Sequence, residues 1–443
     1  MPLLEETTLL GDVPFNIPVI VIGNGPSGIC LSYLLSGYRP YKAPGAVHLN
    51  PILNNKLEEG INFSIVDQVM NGSMLTISMN SWMELPGLKL KDWTNGKWRN
   101  LMNDRATPEE VASYYKDYVK IMGLQKNFIG NTCVTSVSKL QQDQKYIKGK
   151  IPKSVQKDPT TQQLPATENG FPHSPWEVRG YQRSGDGSNV PFCLYAENVV
   201  LAIGTNDLPA RLGVEGEELP FVFHSISAFE SAIKSCRVSQ ASDPVLIVGA
   251  GLSAADAVLC ANHHGIPVLH TFRRSVTDPT LIFKQLSKKL YPEYHKVYQK
   301  MCKQCYITNS CSNYTSFPET CIVSFVPDMK CILQTASGRS IILSISMALV
   351  LIGTYPNLSF LKEHGKYLGI DPSKPISCKK NPIDINPYTF ECTKESGIFA
   401  MGPLIGDNFV RFLKGGALGI TSCLVQRLKE KEQLISETGN DDG

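Results

Sequence analysis

Two glycine clusters carry the clearest chemistry in this chain. Gly23-Asn-Gly25-Pro26-Ser27-Gly28 follows the apolar run Val19-Ile-Val-Ile22, and Gly249-Ala-Gly251-Leu-Ser253-Ala254 follows Val245-Leu-Ile-Val248. Each reads as a buried strand, a tight turn and the start of a helix, which is the context a dinucleotide fingerprint requires. The first glycine of such a turn permits the reversal, the second lets the backbone approach a pyrophosphate, and the third position brings helix and strand together. Free N–H groups at the helix start, helped by the helix dipole, then attract the phosphates. The spacing assigns Gly23, Gly25, Pro26, Ser27 and Gly28 to one phosphate cradle and Gly249, Gly251 and Ser253 to another.

The two cradles differ in the residues downstream of them. The strand after Gly249, Val268 to Phe272, ends in Arg273-Arg274 with no acid in that place. An acid there would hold a ribose 2′-hydroxyl, whereas arginine accommodates a 2′-phosphate through its planar fork. NADPH is the cofactor expected at the second loop. About 20 residues past the first loop, where an acid would serve a ribose, Pro40 to Asn50 contains neither Asp nor Glu. Asp67, ending the strand candidate Ile61–Val66, reaches a ribose only if the connection before it is an excursion.

The elements needed to position these residues can be placed along the chain. The first βα unit spans Ile17 to Gly37, and Trp82, Trp93 and Trp98 fall in a folded loop over the core. Thr107-Pro-Glu-Glu starts a helix to Gly123 with an N-cap, a proline in the first turn and acids at the positive end of the dipole. Residues 141–174, rich in Gln, Lys, Pro and Thr, read as a mobile surface insertion. Trp176 to Gln182 and Pro191 to Tyr195 form a meander before the strand Asn198–Gly204. After the second loop come an exposed helix within Lys284–Gln304 and a turn-rich segment from Cys305 to Phe317. Strands are expected over 322–326, 330–335 and 341–352, and a final one over Gly397–Met401. The chain returns to its first domain near Asn381, and Lys429 to Gly443 reads as a fraying polar end. The fold class is α/β: two Rossmann-like three-layer domains, the NADPH domain inserted into the flavin domain. The boundaries expected are 1–215, 216–375 and 376–430, then a tail over 431–443.

Composition narrows the function classes. The 443 residues are 42% hydrophobic and 19% charged, as in ordinary globular proteins. A formal charge of +3, from 43 interspersed basic and 40 acidic residues, describes no nucleic-acid surface. Thirteen scattered cysteines suit free thiols in a reducing compartment. No basic leader precedes the first strand, and the longest apolar run, Ile341–Ile352, is too short to span a bilayer. The expected address is cytoplasmic, with the nucleus as a second compartment. Cys302-Lys-Gln-Cys305 invites a disulfide or zinc reading, but its polar surroundings and the lack of a second pair favour free thiols. No metal site is expected, and no side chain is assigned a catalytic role.

The two glycine loops, the strand Leu201-Ala-Ile-Gly204-Thr205 and the turn Ile352-Gly353-Thr-Tyr355 resemble flavin-dependent monooxygenases. Phe221-Val-Phe-His224-Ser225 is similar to that group's identifying stretch in degenerate form. More closely, the chain resembles the oxidative stress-induced growth inhibitor family. The runs that carry this are Gly25–Tyr38, Asp243–Cys260, Leu290–Tyr298 and Met401–Phe412. The resemblance implies FAD on the first loop, with Gly204 closing its strand, and NADPH on the second. It also implies a monooxygenase-like reaction and a role in growth restraint, cell death or germ-cell maturation, with no substrate class and no readable protein partner. In such proteins the stretch resembling Gly402-Pro-Leu-Ile-Gly406-Asp407-Asn408 often sets an acid or backbone N–H groups against the flavin's ribityl and pyrimidine end, which implies that role for Asp407; a plain helix N-cap is the other reading of that residue. The chain departs from the family after Gln68. Family members carry several dozen residues there, with a Gly-Gly-Ala-Trp turn beside the flavin, where Gln68-Val-Met-Asn71 runs directly into Gly72. N-oxygenating relatives also place an asparagine where Ile77 stands, and Asn80 comes three residues late. These departures set a second reading beside the enzyme, a regulatory protein on a flavoprotein scaffold.

Overall fold

The computed structural model describes residues 17–38, 78–79, 82–94, 105–140, 176–303 and 313–438. The expectations for the strand 61–66, Asp67, the junction after Gln68, Ile77, Asn80, Trp98, the insertion 141–174 and Cys305 lie outside these residues. Among them, one compact unit comprises those up to Thr205 together with those from Pro356 onward, and the other comprises Asn206–Tyr355.

The first unit is built on β1 (Ile17–Ile22), β2 (Thr132–Lys139), β3 (Trp176–Arg183) and β4 (Asn189–Leu201). β4 has two roles. Its first half pairs antiparallel with β3, which pairs with β2, while its second half is flanked by β1 and by the returning strand Ile398–Ala400, both parallel. Because side chains alternate along a strand, Val199 and Leu201 face one core cluster with Leu358, Phe360 and Leu368. Val200 faces another, with Leu31, Tyr114 and Ala417. That second cluster is supplied by the helices Pro26–Leu35, Pro108–Ile121 and Leu413–Thr438. The Pro108 helix opens with a full capping box, Thr107 accepting from Glu110 N–H and the Glu110 carboxylate accepting from Thr107 N–H. Two of its buried tyrosines, Tyr114 and Tyr118, pair their hydroxyls with the backbone, as buried polar groups generally do. Tyr118 donates to Pro86 O at 2.9 Å and Tyr114 accepts from Leu85 N–H at 2.8 Å, so the loop after Trp82 is tied over the core.

The second unit contains β5 (Leu208–Pro209), β6 (Val222–Phe223), β7 (Val245–Val248), β8 (Val268–Phe272) and β9 (Tyr314–Pro318). β10 (Thr320–Val326), β11 (Lys330–Thr335), β12 (Ser340–Ser344), β13 (Met347–Val350) and β14 (Thr354–Tyr355) come after them. A parallel sheet in the order β6-β13-β7-β8-β9 carries the second loop at the end of its central strand, and β10-β11-β12 form a separate antiparallel sheet.

Several expectations need correction. The run Ile341–Ile352 is two strands in two sheets, broken where Ile345 N–H bonds Met329 O and Ser346 N–H bonds Pro244 O. The return to the first unit comes at Pro356, because Leu358, Phe360 and Leu361 join its core. Residues 206–215 join the second unit instead, through the β5–β14 pair and a bridge from Glu215 to Ser324. The helix Pro292–Cys302 is amphipathic, with Tyr294, Val297 and Met301 buried. β9 begins inside the segment Cys305–Phe317, at Tyr314, and ends at Pro318, where the sequence carries no clear signal. The C-terminal helix continues to Thr438, and its residues beyond 429 are not all loose: Lys431 bridges Glu197 at 2.5 Å.

Candidate functional site

β1 delivers Gly23 to the end of β4. Gly23 has φ +112°, and a Cβ there would stand 2.5 Å from Ala202 O, so glycine is required twice over. At Gly28 a Cβ would overlap Gly23 O, which is the close helix–strand approach expected of the third position. Pro26 occupies the first turn of the helix Pro26–Leu35, and its N-cap, Gly25, provides no side-chain cap. Gly25, Pro26, Ser27 and Gly28 are all buried. Gly402 of the returning segment has φ +70°, and a Cβ on it would come within 2.6 Å of Ser27 Oγ. Gly204, beyond the end of β4, is uncrowded but has φ +76°. A groove of about 960 Å³ beside β1 is bordered by Gly23, Asn24, Gly28, Asn131, Cys133 and Val134. It is the size of a nucleotide site, and no sequence motif points to the last three residues.

The second loop repeats the turn. Gly249 has φ +132°, its N–H donates to Thr271 O at 2.9 Å, and a Cβ on it would overlap Leu351 O. Gly251 is different: nothing lies within 4 Å of where a Cβ would stand, and its φ of −94° suits any residue. The protein's own packing therefore does not call for glycine here, and the space is left on the open side, as a pyrophosphate needs. Ser253 is exposed, and Gly251 supplies no side-chain cap to the helix Leu252–His263. Among the described residues no acceptor is found for the N–H groups of Ala250 to Ala254.

The arginine pair is split. Arg273 is exposed, makes no hydrogen bond or ion pair among the described residues, and lines a cavity of about 160 Å³ with Gly249, Thr320 and Cys321. Arg274 is spent on its own turn, donating through Nη1 to Thr280 O at 3.1 Å and Thr280 Oγ1 at 3.0 Å, with Asp278 at 3.8 Å. Residue type could not separate the two, and only the turn Ser275–Thr280 does.

Asp407 caps no helix. The next helical turn starts at Val410 with Phe409 as its N-cap, so the capping reading falls. Its carboxyl is half-buried without a hydrogen-bond partner among the described residues, and burial pushes its pKa up to about 6. Nearby in the chain, the Arg411 guanidinium lies 4.2 Å from the Trp82 ring and 4.7 Å from that of Phe412. Cys302 is exposed, while buried Cys331 is pushed up to about 12. Among the described residues no group of His, Cys, Asp and Glu is placed to hold a metal, and no helix is long and apolar enough to cross a membrane.

Residues 193–386 match the family model described as pyridine nucleotide-disulphide oxidoreductase. Oxidative stress-induced growth inhibitor 2 of Homo sapiens is 52% identical over 508 aligned positions, covering 100% of this chain and 99% of the relative. Since the chain has 443 residues, that relative carries several dozen residues with no counterpart here. A bacillithiol disulfide reductase from Bacillus cereus superposes with TM-score 0.58 at 17% identity, covering 93% of this chain and 99% of the other. An FAD-bound cadaverine monooxygenase from Erwinia amylovora superposes with TM-score 0.52 at 12% identity, covering 94% of each. The architecture is that of flavoprotein reductases and monooxygenases.

Proposed function

The chain belongs to the oxidative stress-induced growth inhibitor family, and from that premise we propose that it is an NADPH-dependent flavin monooxygenase acting in growth restraint. The observation that carries the reading is the second loop, an open phosphate cradle with a guanidinium, Arg273, at the end of the next strand that is unengaged among the described residues. There Gly249, Gly251 and Ser253 would take the pyrophosphate and Arg273 the 2′-phosphate, with Arg274 supporting the turn. Gly23, Gly25, Pro26, Ser27, Gly28 and Gly204 would hold FAD, and Asp407 would meet a ribityl hydroxyl; a carboxyl of raised pKa that has no hydrogen-bond partner among the described residues suits that task. Bound together, the two cofactors supply hydride transfer and reaction with oxygen. The protein's share is to bind, orient and exclude water. The thirteen cysteines, an odd number without a small-scaffold spacing, support a reducing compartment, cytoplasmic or nuclear.

The residues lacking here relative to the human protein favour one alternative, a regulatory protein that keeps the scaffold without the flavin. The absorption spectrum of the purified protein separates the two. The enzyme reading expects flavin bands and NADPH consumption that requires oxygen. A colourless protein that takes up no added FAD sinks it.

A further inference from the structure

His270 lies wholly buried in the middle of β8 and holds the second loop by a carbonyl group. Its Nε2 is 2.7 Å from Gly249 O and its Nδ1 is 2.7 Å from the Tyr314 hydroxyl. A carbonyl oxygen only accepts, so Nε2 carries the ring proton. Burial keeps the imidazole neutral, its pKa pushed down to about 4, so Nδ1 is an acceptor and the Tyr314 O–H donates to it. Tyr314 stands on β9, the strand on the far side of β8 from β7. A buried chain of two hydrogen bonds thus runs from β9 to the turn that ends β7.

Gly249 is thereby held at every backbone group. Its N–H bonds Thr271 O, its Cα faces Leu351 O, and its carbonyl accepts from His270. In a trans peptide the C=O of one residue and the N–H of the next point to opposite sides of the chain, and no cis bond is present among the described residues. Drawing the Gly249 carbonyl towards His270 therefore turns the Ala250 N–H the other way, where it finds no acceptor among the described residues. We infer that His270 is a positioning residue for nucleotide binding: by holding the Gly249 carbonyl it aims the Ala250 N–H into the phosphate cradle, and Tyr314 holds His270. The inference rests on the reading of this loop as the NADPH site.

The test uses the full chain and three variants. His270→Gln returns an amide N–H at the reach of Nε2, His270→Asn places it one methylene short, and Tyr314→Phe leaves His270 in place while removing the second bond, together with the Tyr314 hydroxyl's contact to Ser316. NADPH affinity is read by calorimetry, and amide exchange of residues 249–254 is read without nucleotide. His270→Asn is expected to weaken NADPH about tenfold and to speed loop exchange, since a buried carbonyl loses its donor. His270→Gln should recover most of both, and Tyr314→Phe should lose about threefold, with flavin content unchanged throughout. Equal NADPH affinity and loop exchange in the parent, Asn and Phe variants would overturn the inference alone. So would a Gln variant as weak as the Asn variant. A parent that binds no NADPH overturns the cofactor assignment, and the role in binding goes with it. Should the Asn variant not fold, Tyr314→Phe against the parent decides by the same two readouts.

Discussion

At the first glycine loop Gly25 to Gly28 are buried and Gly402 stands against Ser27, whereas at the second Gly251 and Ser253 are open to solvent. The turn itself is shared. Gly23 and Gly249 both have positive φ, and both would strike the carbonyl just past the end of the neighbouring strand if they carried a Cβ. The third position is not shared. Gly28 meets the Gly23 carbonyl closely, while the second loop accommodates Ala254 there and its Gly249 carbonyl is bonded to His270. One local pattern thus makes one backbone turn, and the strands and segments around it decide what the turn is open to.

The sharpest way to break this comparison is at the turn. Gly23→Val and Gly249→Val each combine a strained φ with a backbone overlap, costing on the order of 3 kcal/mol. Gly23→Val should abolish FAD uptake while NADPH affinity persists, and Gly249→Val should do the reverse. Flavin absorbance and calorimetry read the two, and loss of both ligands in either variant would refute independent loops.

Next in size is the arginine pair. A charge-assisted bond to a phosphate contributes roughly 1.5–3 kcal/mol, so Arg273→Ala should lower the preference for NADPH over NADH about 10- to 100-fold. Arg274→Ala should change the preference less than about threefold and act instead on melting temperature, because its partners are Thr280 and Asp278. Equal effects on preference would remove the distinction.

A smaller effect belongs to Asp407, on the first loop's side of the comparison. Its folded pKa is raised to about 6, so between the ordinary carboxylate range and pH 6 the native state binds the proton more readily than the unfolded chain. Stability therefore falls as pH rises through that window, and the ionised group costs stability above it. Asp407→Asn should raise the melting temperature of flavin-free protein at pH 8, by about 1 kcal/mol of stability after solvent screening. At pH 4 it should change little. Scanning calorimetry at both values tests the sign. Smallest of all, Ser253→Ala should weaken NADPH about threefold, the size of one neutral hydrogen bond, and Ser27→Ala, at the buried counterpart, should leave NADPH affinity unmoved.

Much of the architecture was legible because it rests on short-range rules. Four apolar residues before a glycine turn mark a buried strand, and Thr107 with Pro108 and Glu110 marks a helix start. Other features depend on neighbours distant in sequence. Nothing in Ile341–Ile352 shows that Ser344 and Ser346 bracket a change of sheet, since Met329 and Pro244 take the two N–H groups there. Nor does the spacing of aromatics between Lys284 and Gln304 reveal that Tyr294 reaches Asp256, at 2.8 Å.

The candidate sites divide the same way. Sequence alone determined which residues form the two turns, because positive φ and close approach select glycine locally, and it determined that a guanidinium pair ends β8. Tertiary structure decided that, among the described residues, Arg273 is unengaged and Arg274 is not, that Asp407 caps no helix, and that His270 carries the Gly249 carbonyl. The first two depend on how the turns after Arg274 and after Asp407 fold, and the third on a hydrogen-bond partner brought in by the neighbouring strand. A buried carbonyl or an exposed guanidinium acquires its role only once that partner is present or absent.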